Sequence, residues 1–390
     1  MIFDSESVFE DNVITVLKQH GWKDGVLRYP TERDLLDNWK DILYRNNNDI
    51  DRLGKYPLTD GEMAQIIEQI ETLRTPLALN SFVNGRTVSI TRDNKEDVAH
   101  FGKEISLYIY DRKEIAGGKS TYQIAQQPVY PAKNKMLNSR RGDLVLLING
   151  MPLIHIELKK SGIPVSQATN QIEKYTHEGV FTGLFRLVQI FVAMNPDDAV
   201  YFANPGVDKF NPSYYFHWAD YNNEPICGGQ NPGKDEWKLF IGGTSGTAGL
   251  LSIPMAHQLI GFYTIADSAD GCLKVLRSYQ YIAANAISDV VRKCDWEQRP
   301  TTPGRPGGYV WHTTGSGKTM TSFKSAQLIA DSHDADKVVF LMDRIELGTQ
   351  SLKEYRSFAD SETEVQGTEN TGVLRDKLNS TNVNDTLIVT

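Results

Sequence analysis

The chain has 390 residues, 40% of them hydrophobic and 23% charged, with a formal net charge of −8. This composition is ordinary for a soluble globular protein with room for two or three domains. It excludes a protein that coats DNA through its overall charge, but not an enzyme with a local basic patch. No apolar run approaches the roughly 20 residues of a membrane span, and no signal peptide is apparent. Three cysteines without metal-type spacing indicate reduced thiols and a cytoplasmic protein.

The first half of the chain alternates helical and strand patterns. Apolar residues with helical spacing predict a helix over residues 6–19, which Gly21 ends. Residues 31–76 are expected to be helical and polar. Short β-type runs follow, among them residues 86–91 and 106–110.

A hairpin is the clearest local prediction. Residues 143–148 form one strand, Asn149-Gly150 the turn, and residues 152–159 the return strand. A regular hairpin with this two-residue turn would place Asp143 opposite Ile156, on the wrong face. We therefore predict either an odd-length loop or a bulge, which would bring Asp143 opposite Glu157.

The residues of this hairpin suggest a metal-dependent hydrolase. Glu157 and Lys159 lie two apart in a strand and so share a face. If Asp143 joins them, two carboxylates can hold Mg²⁺, and the lysine can stabilise charge on a phosphate. Gln171 and Tyr175 lie on one face of a helix predicted over residues 165–178 and could point to the same place. The plainer interpretations are an edge strand with alternating charges and an ordinary helix surface.

Two local basic clusters are candidates for contact with DNA, although a solvated loop is the plainer interpretation of each. The clusters are Lys133, Lys135, Arg140 and Arg141, and Lys159 with Lys160.

The remaining patterns predict a mixed α/β domain over residues 1–250 and the opening of a βαβ nucleotide domain over residues 251–390. A loop-rich stretch over residues 203–250 marks the boundary. The supporting elements are a buried strand at residues 187–193, an amphipathic helix at 274–292, and parallel-sheet strands at 337–342 and 385–389.

A glycine-rich turn in the second domain predicts a nucleotide site. The apolar run at residues 308–311 is expected to be a strand, and residues 320–330 a helix. Between them, Gly315 and Gly317 allow the tight turn that presents backbone N–H groups to phosphates. Lys318 would reach the β- and γ-phosphates, and the Thr319 hydroxyl would bind Mg²⁺. His312 replaces the first glycine of the full phosphate-loop pattern, as is typical of helicase-like motors.

Together these motifs resemble the R (motor and nuclease) subunits of type I restriction enzymes. Residues 141–159 resemble the PD-(D/E)xK nuclease signature of that family, and Gln171 with Tyr175 its Q-x-x-x-Y element. Residues 311–319 resemble helicase motif I. The two further similarities are Asp343-Arg-x-Glu-Leu347 with Gln350 to motif Ia, and Arg277-Ser-Tyr-Gln280 to the element that reads adenine. The implied fold is a PD-(D/E)xK domain followed by an incomplete RecA-like lobe of the superfamily 2 type.

The resemblance also implies a function. The family cuts double-stranded DNA with Mg²⁺, moves along it with ATP, and works with modification and specificity subunits. Asp143 and Glu157 would bind the metal, and Lys159 would be catalytic. An acidic residue of the first helix, Glu6 or Glu10, would join them. The expected nucleotide contacts are Thr314, Gly315, Ser316, Gly317, Lys318, Thr319, Arg277 and Gln280.

The chain departs from the family in two ways. Gly142 replaces the proline of the nuclease signature. No Walker B acidic pair follows before Thr390, so we expect the chain to bind nucleotide weakly and not to hydrolyse ATP or move DNA unaided. Two alternatives are a DNA-dependent motor or remodeller with a non-catalytic N-terminal domain, and an assembly module with structural carboxylates. Lys159→Ala would change no activity in the former, and the latter would bind no divalent metal between Asp143 and Glu157.

Overall fold

A computed structural model of the protein describes residues 2–114, 118–131, 140–207, 209–230, 234–294, 307–342 and 345–390. Two compact units are present. The first comprises Met1–Thr264 and Cys272–Val275, and the second comprises Ile265–Gly271 and Leu276–Thr390. Both contain helices and strands, as the predicted α/β class requires. Among the described residues, no helix has the length and apolar character needed to cross a membrane.

The helices and strands of the first unit follow the chain in a mixed order. Its helices are α1 (Glu6–Gln19), α2 (Glu32–Asn46), α3 (Asp60–Thr72), α4 (Pro76–Asn84), α5 (Val165–His177), α6 (Glu236–Gly242) and α7 (Met255–Gly261). Its strands are β1 (Val26–Arg28), β2 (Thr87–Thr91), β3 (Glu104–Tyr108), β4 (Tyr122–Gln126), β5 (Leu144–Ile148), β6 (Met151–Leu158), β7 (Ile190–Met194) and β8 (Ala199–Ala203). The short strand β10 (Cys272–Val275) also belongs to this unit, whereas its partner β9 (Thr264–Asp267) belongs to the second unit from Ile265 onward.

Six of these strands form one mixed sheet in the order β1-β4-β5-β6-β7-β8. Strands β1 and β4 are parallel, as are β6 and β7, and the other neighbours are antiparallel. The central strands β5 and β6 are buried along their whole length. Both of their faces are therefore covered, which explains why their sequences are continuous apolar runs.

Capping and apolar packing hold α1 and α5 beside the hairpin that carries the carboxylates. The Ser5 side chain caps α1 by accepting from the Val8 N–H, and Phe9 of this helix packs edge-on against Trp237, with ring centroids 5.2 Å apart. Ala168 and Ile172 of α5 belong to a buried apolar cluster with residues of β7 and β8. The helices predicted at residues 6–19 and 165–178 are confirmed.

The second unit contains a three-stranded parallel sheet in the order β11-β13-β12. Its strands are β11 (Val338–Phe340), β12 (Val365–Gly367) and β13 (Leu387–Val389), and its helices are α8 (Ser278–Lys293), α9 (Lys318–Ser332), α10 (Ile345–Phe358) and α11 (Thr371–Asn379). The parallel pairing of the strands predicted at residues 337–342 and 385–389 is confirmed.

One predicted strand of the second half is absent, and one predicted helix is present but begins later than expected. Residues 308–311 form no strand, and Tyr309 and Trp311 are 89% and 88% exposed. No described strand lies beside this segment, so it lacks the ladder hydrogen bonds that would order it. The helix predicted from residue 274 begins only at Ser278, because Cys272–Val275 is a strand and Arg277 has extended backbone with its N–H bonded to Gln280 Oε1 (3.0 Å). The strand predicted over residues 187–193 begins at Ile190, after a 3₁₀ turn.

Candidate functional site

The β5–β6 hairpin contains a bulge. Its turn has two residues, so Ile148 lies opposite Met151, but the register shifts between Leu146 and Leu147. Beyond the shift, Leu144 lies opposite Ile156, and β6 has one more residue than β5 over the same length. The predicted bulge is confirmed, whereas the odd-length loop does not occur.

The turn itself needs a glycine. Asn149 and Gly150 both have positive φ, +52° and +84°, as a tight hairpin turn requires. A Cβ on Gly150 would lie 2.8 Å from Trp39 Cδ1, so a side chain cannot be accommodated there without movement of the tryptophan.

The bulge brings the two carboxylates and the lysine to one place. Asp143 immediately precedes β5, and its Oδ2 accepts a 2.7 Å hydrogen bond from the Leu158 N–H. Lys159 Nζ lies 3.5 Å from Glu157 Oε1 and donates to the Leu158 carbonyl at 2.8 Å. A regular hairpin would have separated Asp143 from Glu157, so one inserted residue determines whether the cluster exists.

Burial makes the negative charges of this cluster costly. Burial, reinforced by repulsion from Glu157, raises the pKa of Asp143 to about 8. Burial raises the pKa of Glu157 to about 7, although the Lys159 ammonium opposes the shift. A buried carboxylate pair with raised pKa values is unstable when both members are ionised, unless a cation joins them.

The two carboxylates have the chemistry of a magnesium site. Glu157 is fully buried, yet within the described part of the chain neither of its carboxylate oxygens has a hydrogen-bond partner. Hard oxygen donors of this kind suit Mg²⁺, which is commonly held by one or two carboxylates and keeps several waters. Among the described residues, no group of three or more His, Cys, Asp or Glu side chains is arranged to hold a metal by itself. The residues therefore fit an ion that completes its coordination with water and phosphate oxygens.

Helix α1 contributes both of the acidic residues that the sequence left open. Glu6 Oε1 lies 3.7 Å from Lys159 Nζ and is half-exposed. Glu10 is buried and accepts hydrogen bonds from Gln126 Nε2 at 2.6 Å and Gln127 Nε2 at 3.3 Å. Burial raises the pKa of Glu10, and the charge of Asp143 adds to the shift. Glu6 thus contacts the lysine, and Glu10 extends the acidic cluster.

Helix α5 brings Gln171 and Tyr175 to the same end of the hairpin. Gln171 Nε2 donates to the Tyr175 hydroxyl at 2.7 Å, and that hydroxyl donates to the Arg141 carbonyl at 3.0 Å. Burial, reinforced by the charge of Glu157, raises the pKa of Tyr175 to about 12. The tyrosine therefore stays protonated and holds the backbone two residues before Asp143.

Sequence reasoning missed a buried Tyr130–His155 pair beside Glu157. The Tyr130 hydroxyl and His155 Nδ1 are 2.9 Å apart, and His155 Nε2 lies 3.4 Å from Glu157 Oε2. Burial lowers the pKa of His155 to about 4, so the ring is neutral. It can accept from Tyr130 at Nδ1 and direct its Nε2–H toward the carboxylate. The available signal was the spacing His-x-Glu-x-Lys, since alternate strand residues share a face.

Gly142 leaves room for that pair. A Cβ at this position would lie 2.5 Å from the Tyr130 hydroxyl and 2.9 Å from His155 Cε1. The rings of Tyr130 and His155 therefore occupy the space that the side chain of the signature's proline would need.

The glycine-rich turn of the second unit has the geometry of a phosphate cradle. Gly315 and Gly317 have φ of +76° and +79°, and Gly317 is the N-cap residue immediately before α9. Lys318 is exposed, and its Nζ donates to the Thr313 carbonyl of the same turn at 3.2 Å. The positive end of α9, an ammonium group and an open turn together suit the phosphates of a nucleotide.

The start of α8 supports this turn. Gln280 Nε2 donates to the Gly317 carbonyl at 3.2 Å, and the Tyr279 hydroxyl donates to the Ser316 carbonyl at 2.9 Å. Arg277 Nη1 in turn donates to the Tyr279 hydroxyl at 3.0 Å. The structure thus brings Arg277 and Gln280 to the turn.

Some of the remaining candidates of the sequence cannot be placed. Lys133, Lys135, Asp343 and Arg344 lie outside the described residues. Thr314 and Thr319 lie in the turn and in the first turn of α9, respectively.

Comparison with known proteins gives two family matches. Residues 4–210 match the family described as the type I restriction enzyme R protein N terminus, and residues 279–390 match the SWI2/SNF2 ATPase family. An endonuclease subunit of a type I restriction enzyme from Staphylococcus aureus (strain COL) is 32% identical over 97% of this chain and 36% of its own length. The EcoprrI type I endonuclease subunit of Escherichia coli is 29% identical over 54% of this chain and 62% of its own length. The chain therefore spans about a third of the length of the staphylococcal relative.

Proposed function

The chain belongs to the family of type I restriction enzyme R protein N termini, and we propose that it carries the nuclease of such an enzyme. Residues 1–250 would adopt the PD-(D/E)xK fold and hydrolyse phosphodiester bonds of double-stranded DNA with Mg²⁺. Residues 251–390 would belong to a RecA-like lobe that binds ATP for translocation along DNA. Modification and specificity subunits would be the partners. The observation that carries the nuclease proposal is the bulge that sets Asp143 opposite Glu157 beside Lys159.

Each member of the cluster has a role that its contacts support. Asp143 and Glu157 would hold a magnesium ion, which supplies Lewis acidity toward the phosphate and lowers the pKa of its water. The Lys159 ammonium would orient the attacking water and stabilise the charge that develops on the phosphate oxygens. The Leu158 N–H fixes one oxygen of Asp143, and Tyr175 fixes the backbone at Arg141. Hydrolysis forms a bond from the water oxygen to phosphorus and breaks the bond to the leaving sugar oxygen.

Metal binding is expected to release protons and to strengthen as the pH rises from about 6 to about 8. The reason is that without metal at neutral pH Asp143, with its pKa raised to about 8, is largely protonated, and Glu157, with its pKa raised to about 7, is about half protonated, whereas a bound ion requires carboxylates. On the order of one proton per ion should leave at pH 7. Titration calorimetry with Mn²⁺ in two buffers of different ionisation enthalpy measures this release.

Glu157→Gln should weaken Mn²⁺ binding and reduce the proton release. Glu173→Gln, at a half-exposed position of α5, is the matched control and should behave like the parent chain. Binding heats that do not depend on the buffer, or equal Mn²⁺ affinity in Glu157→Gln and the parent, would contradict the metal assignment.

Lys318→Ala is expected to weaken nucleotide binding by roughly tenfold to a hundredfold, because a charge-assisted bond to phosphate is lost. Fluorescence titration with a fluorescent ATP analogue and Mg²⁺ measures the dissociation constant. Lys293→Ala removes an exposed lysine of α8 and should leave binding unchanged. Equal affinity in Lys318→Ala and the parent would refute the phosphate site.

A further inference from the structure

Strands β1 and β4 are each followed by a residue with a strained backbone. Both residues lie where the strands end, on the side of the sheet where Asp143 immediately precedes β5. Tyr29 follows β1 with φ of +53°, and Gln127 follows β4 with φ of +49°. Both precede a proline, and neither is a glycine, so this conformation costs free energy. Main-chain bonds hold it: the Tyr29 N–H donates to the Gln126 carbonyl, and the Gln127 N–H to the Asp143 carbonyl, each at 2.8 Å. Strain maintained in this way often marks a functional site.

Tyr29 packs its ring against the guanidinium of Arg141, two residues before Asp143. Its side chain is half-exposed, and the Arg141 guanidinium lies over its ring, 5.8 Å from the centroid. An aromatic face attracts a guanidinium and limits its motion while leaving its donors free. The Arg141 backbone is fixed as well, since its carbonyl accepts from the Tyr175 hydroxyl.

Arg141 differs from the arginine next to it. Arg140 makes two 2.9 Å bonds to the Glu178 carboxylate, which neutralises its charge. Arg141 is exposed and has no carboxylate partner in the described part of the chain. Lys160, two residues after the end of β6, is also exposed. The edge that holds the carboxylates therefore presents positive charge at Arg141 and at Lys160.

We propose that Arg141, stacked on Tyr29, binds a backbone phosphate of the DNA strand that enters the carboxylate cluster. The inference rests on the proposed nuclease function and adds the residues that position its substrate. A guanidinium matches phosphate oxygens with two parallel bonds, and the ring holds it ready for that contact. Because phosphates carry no base information, the contact is independent of sequence.

The test measures binding of a short fluorescent DNA duplex to the full chain by anisotropy, over a series of salt concentrations, with Ca²⁺ in place of Mg²⁺. Arg141→Ala should weaken binding about fivefold for any sequence and reduce the slope of log affinity against log salt by about one. Tyr29→Ala should weaken binding less, and little more when added to Arg141→Ala, because the ring acts through the arginine. Tyr29→Phe keeps the aromatic face and should bind like the parent.

Arg86→Ala is a control for an arginine that lies over a tyrosine away from the carboxylates, although Arg86, unlike Arg141 among the described residues, also pairs with a carboxylate, that of Asp111 at 3.2 Å. Arg86 lies 5.6 Å over the Tyr108 ring, and Asn149 of the hairpin turn bonds to the adjacent residue Ile109, so this pair is at the other end of β5, roughly 20 Å from Asp143. The inference is overturned if Arg141→Ala binds with the parent's affinity and salt slope, if Arg86→Ala weakens binding equally, or if the parent does not bind the duplex at low salt. A DNA cleavage assay distinguishes failure of the phosphate contact from failure of the nuclease proposal. If Asp143→Ala still cleaves DNA, the nuclease proposal is overturned. If Asp143→Ala is inactive and Arg141→Ala binds DNA normally, only the phosphate contact is overturned.

Discussion

Asp143→Ala is expected to lower plasmid cleavage by at least about a hundredfold, measured with partner subunits, ATP and Mg²⁺. The variant removes one of the two carboxylates that would hold the metal, and Glu157 alone cannot fix the ion in place. Binding of ATP to the same variant should be unaffected, because the glycine-rich turn does not depend on Asp143. Asp37→Ala, which removes an exposed aspartate of α2, should cut DNA like the parent.

Asp143→Asn separates catalysis from folding. Its amide oxygen can still accept from the Leu158 N–H, so the hairpin should be retained while metal binding is lost. The folded-state pKa of Asp143 is raised from the ordinary value of 3.8 to about 8, so the metal-free fold loses stability as the pH rises between these two values, and the loss is complete above about 8. The asparagine variant should therefore resist urea better than the parent at pH 8 and above without metal. Full cleavage activity in either Asp143 variant would refute the proposed role.

Arg92→Met is expected to destabilise the first unit by about 3–5 kcal/mol, because it leaves two buried carboxylates without their cation. Arg92 is 1% exposed and bonds to Glu62 Oε2 at 2.6 Å and Asp97 Oδ2 at 2.9 Å. It also donates to the carbonyls of Tyr56 and Pro57. Urea unfolding followed by tryptophan fluorescence measures the change.

The control for Arg92 is another arginine with two acidic partners. Arg33 pairs with Asp37 and Asp60 at 3.1 Å each, but all three side chains are exposed. Water and salt screen such pairs, so Arg33→Met should change the urea midpoint little. If the two substitutions change the free energy of unfolding equally, burial does not explain how much the Arg92 ion pairs stabilise the protein.

Periodicity and charge placement predicted the parts of the fold that depend on local sequence. The apolar spacing in residues 6–19 predicted α1, and Asn149-Gly150 between apolar runs predicted the β5–β6 hairpin. The bulge was predictable because a regular hairpin would place Asp143 opposite Ile156, and only a shifted register places it opposite Glu157. Local patterns cannot show which element lies beside another, and residues 308–311 were mistaken for a strand for that reason.

The carboxylate cluster was partly predictable for a related reason. Asp143, Glu157 and Lys159 lie on one hairpin, so strand alternation sufficed to group them. Glu6 and Glu10 could not be separated, because the choice depends on how α1 lies against the sheet. Tertiary packing also brings Tyr130 to His155, from a segment before β5. These contacts join segments that are distant in the sequence, so no periodic pattern of residues predicts them.

The bare backbone at Gly142 has a consequence for how this protein can diverge. A proline at this position would carry atoms into the space of the Tyr130 hydroxyl and His155 Cε1. The glycine is therefore not free to change while both rings are present. A lineage that gains the proline must first or simultaneously accept smaller side chains opposite it, and one that keeps both rings must keep the glycine.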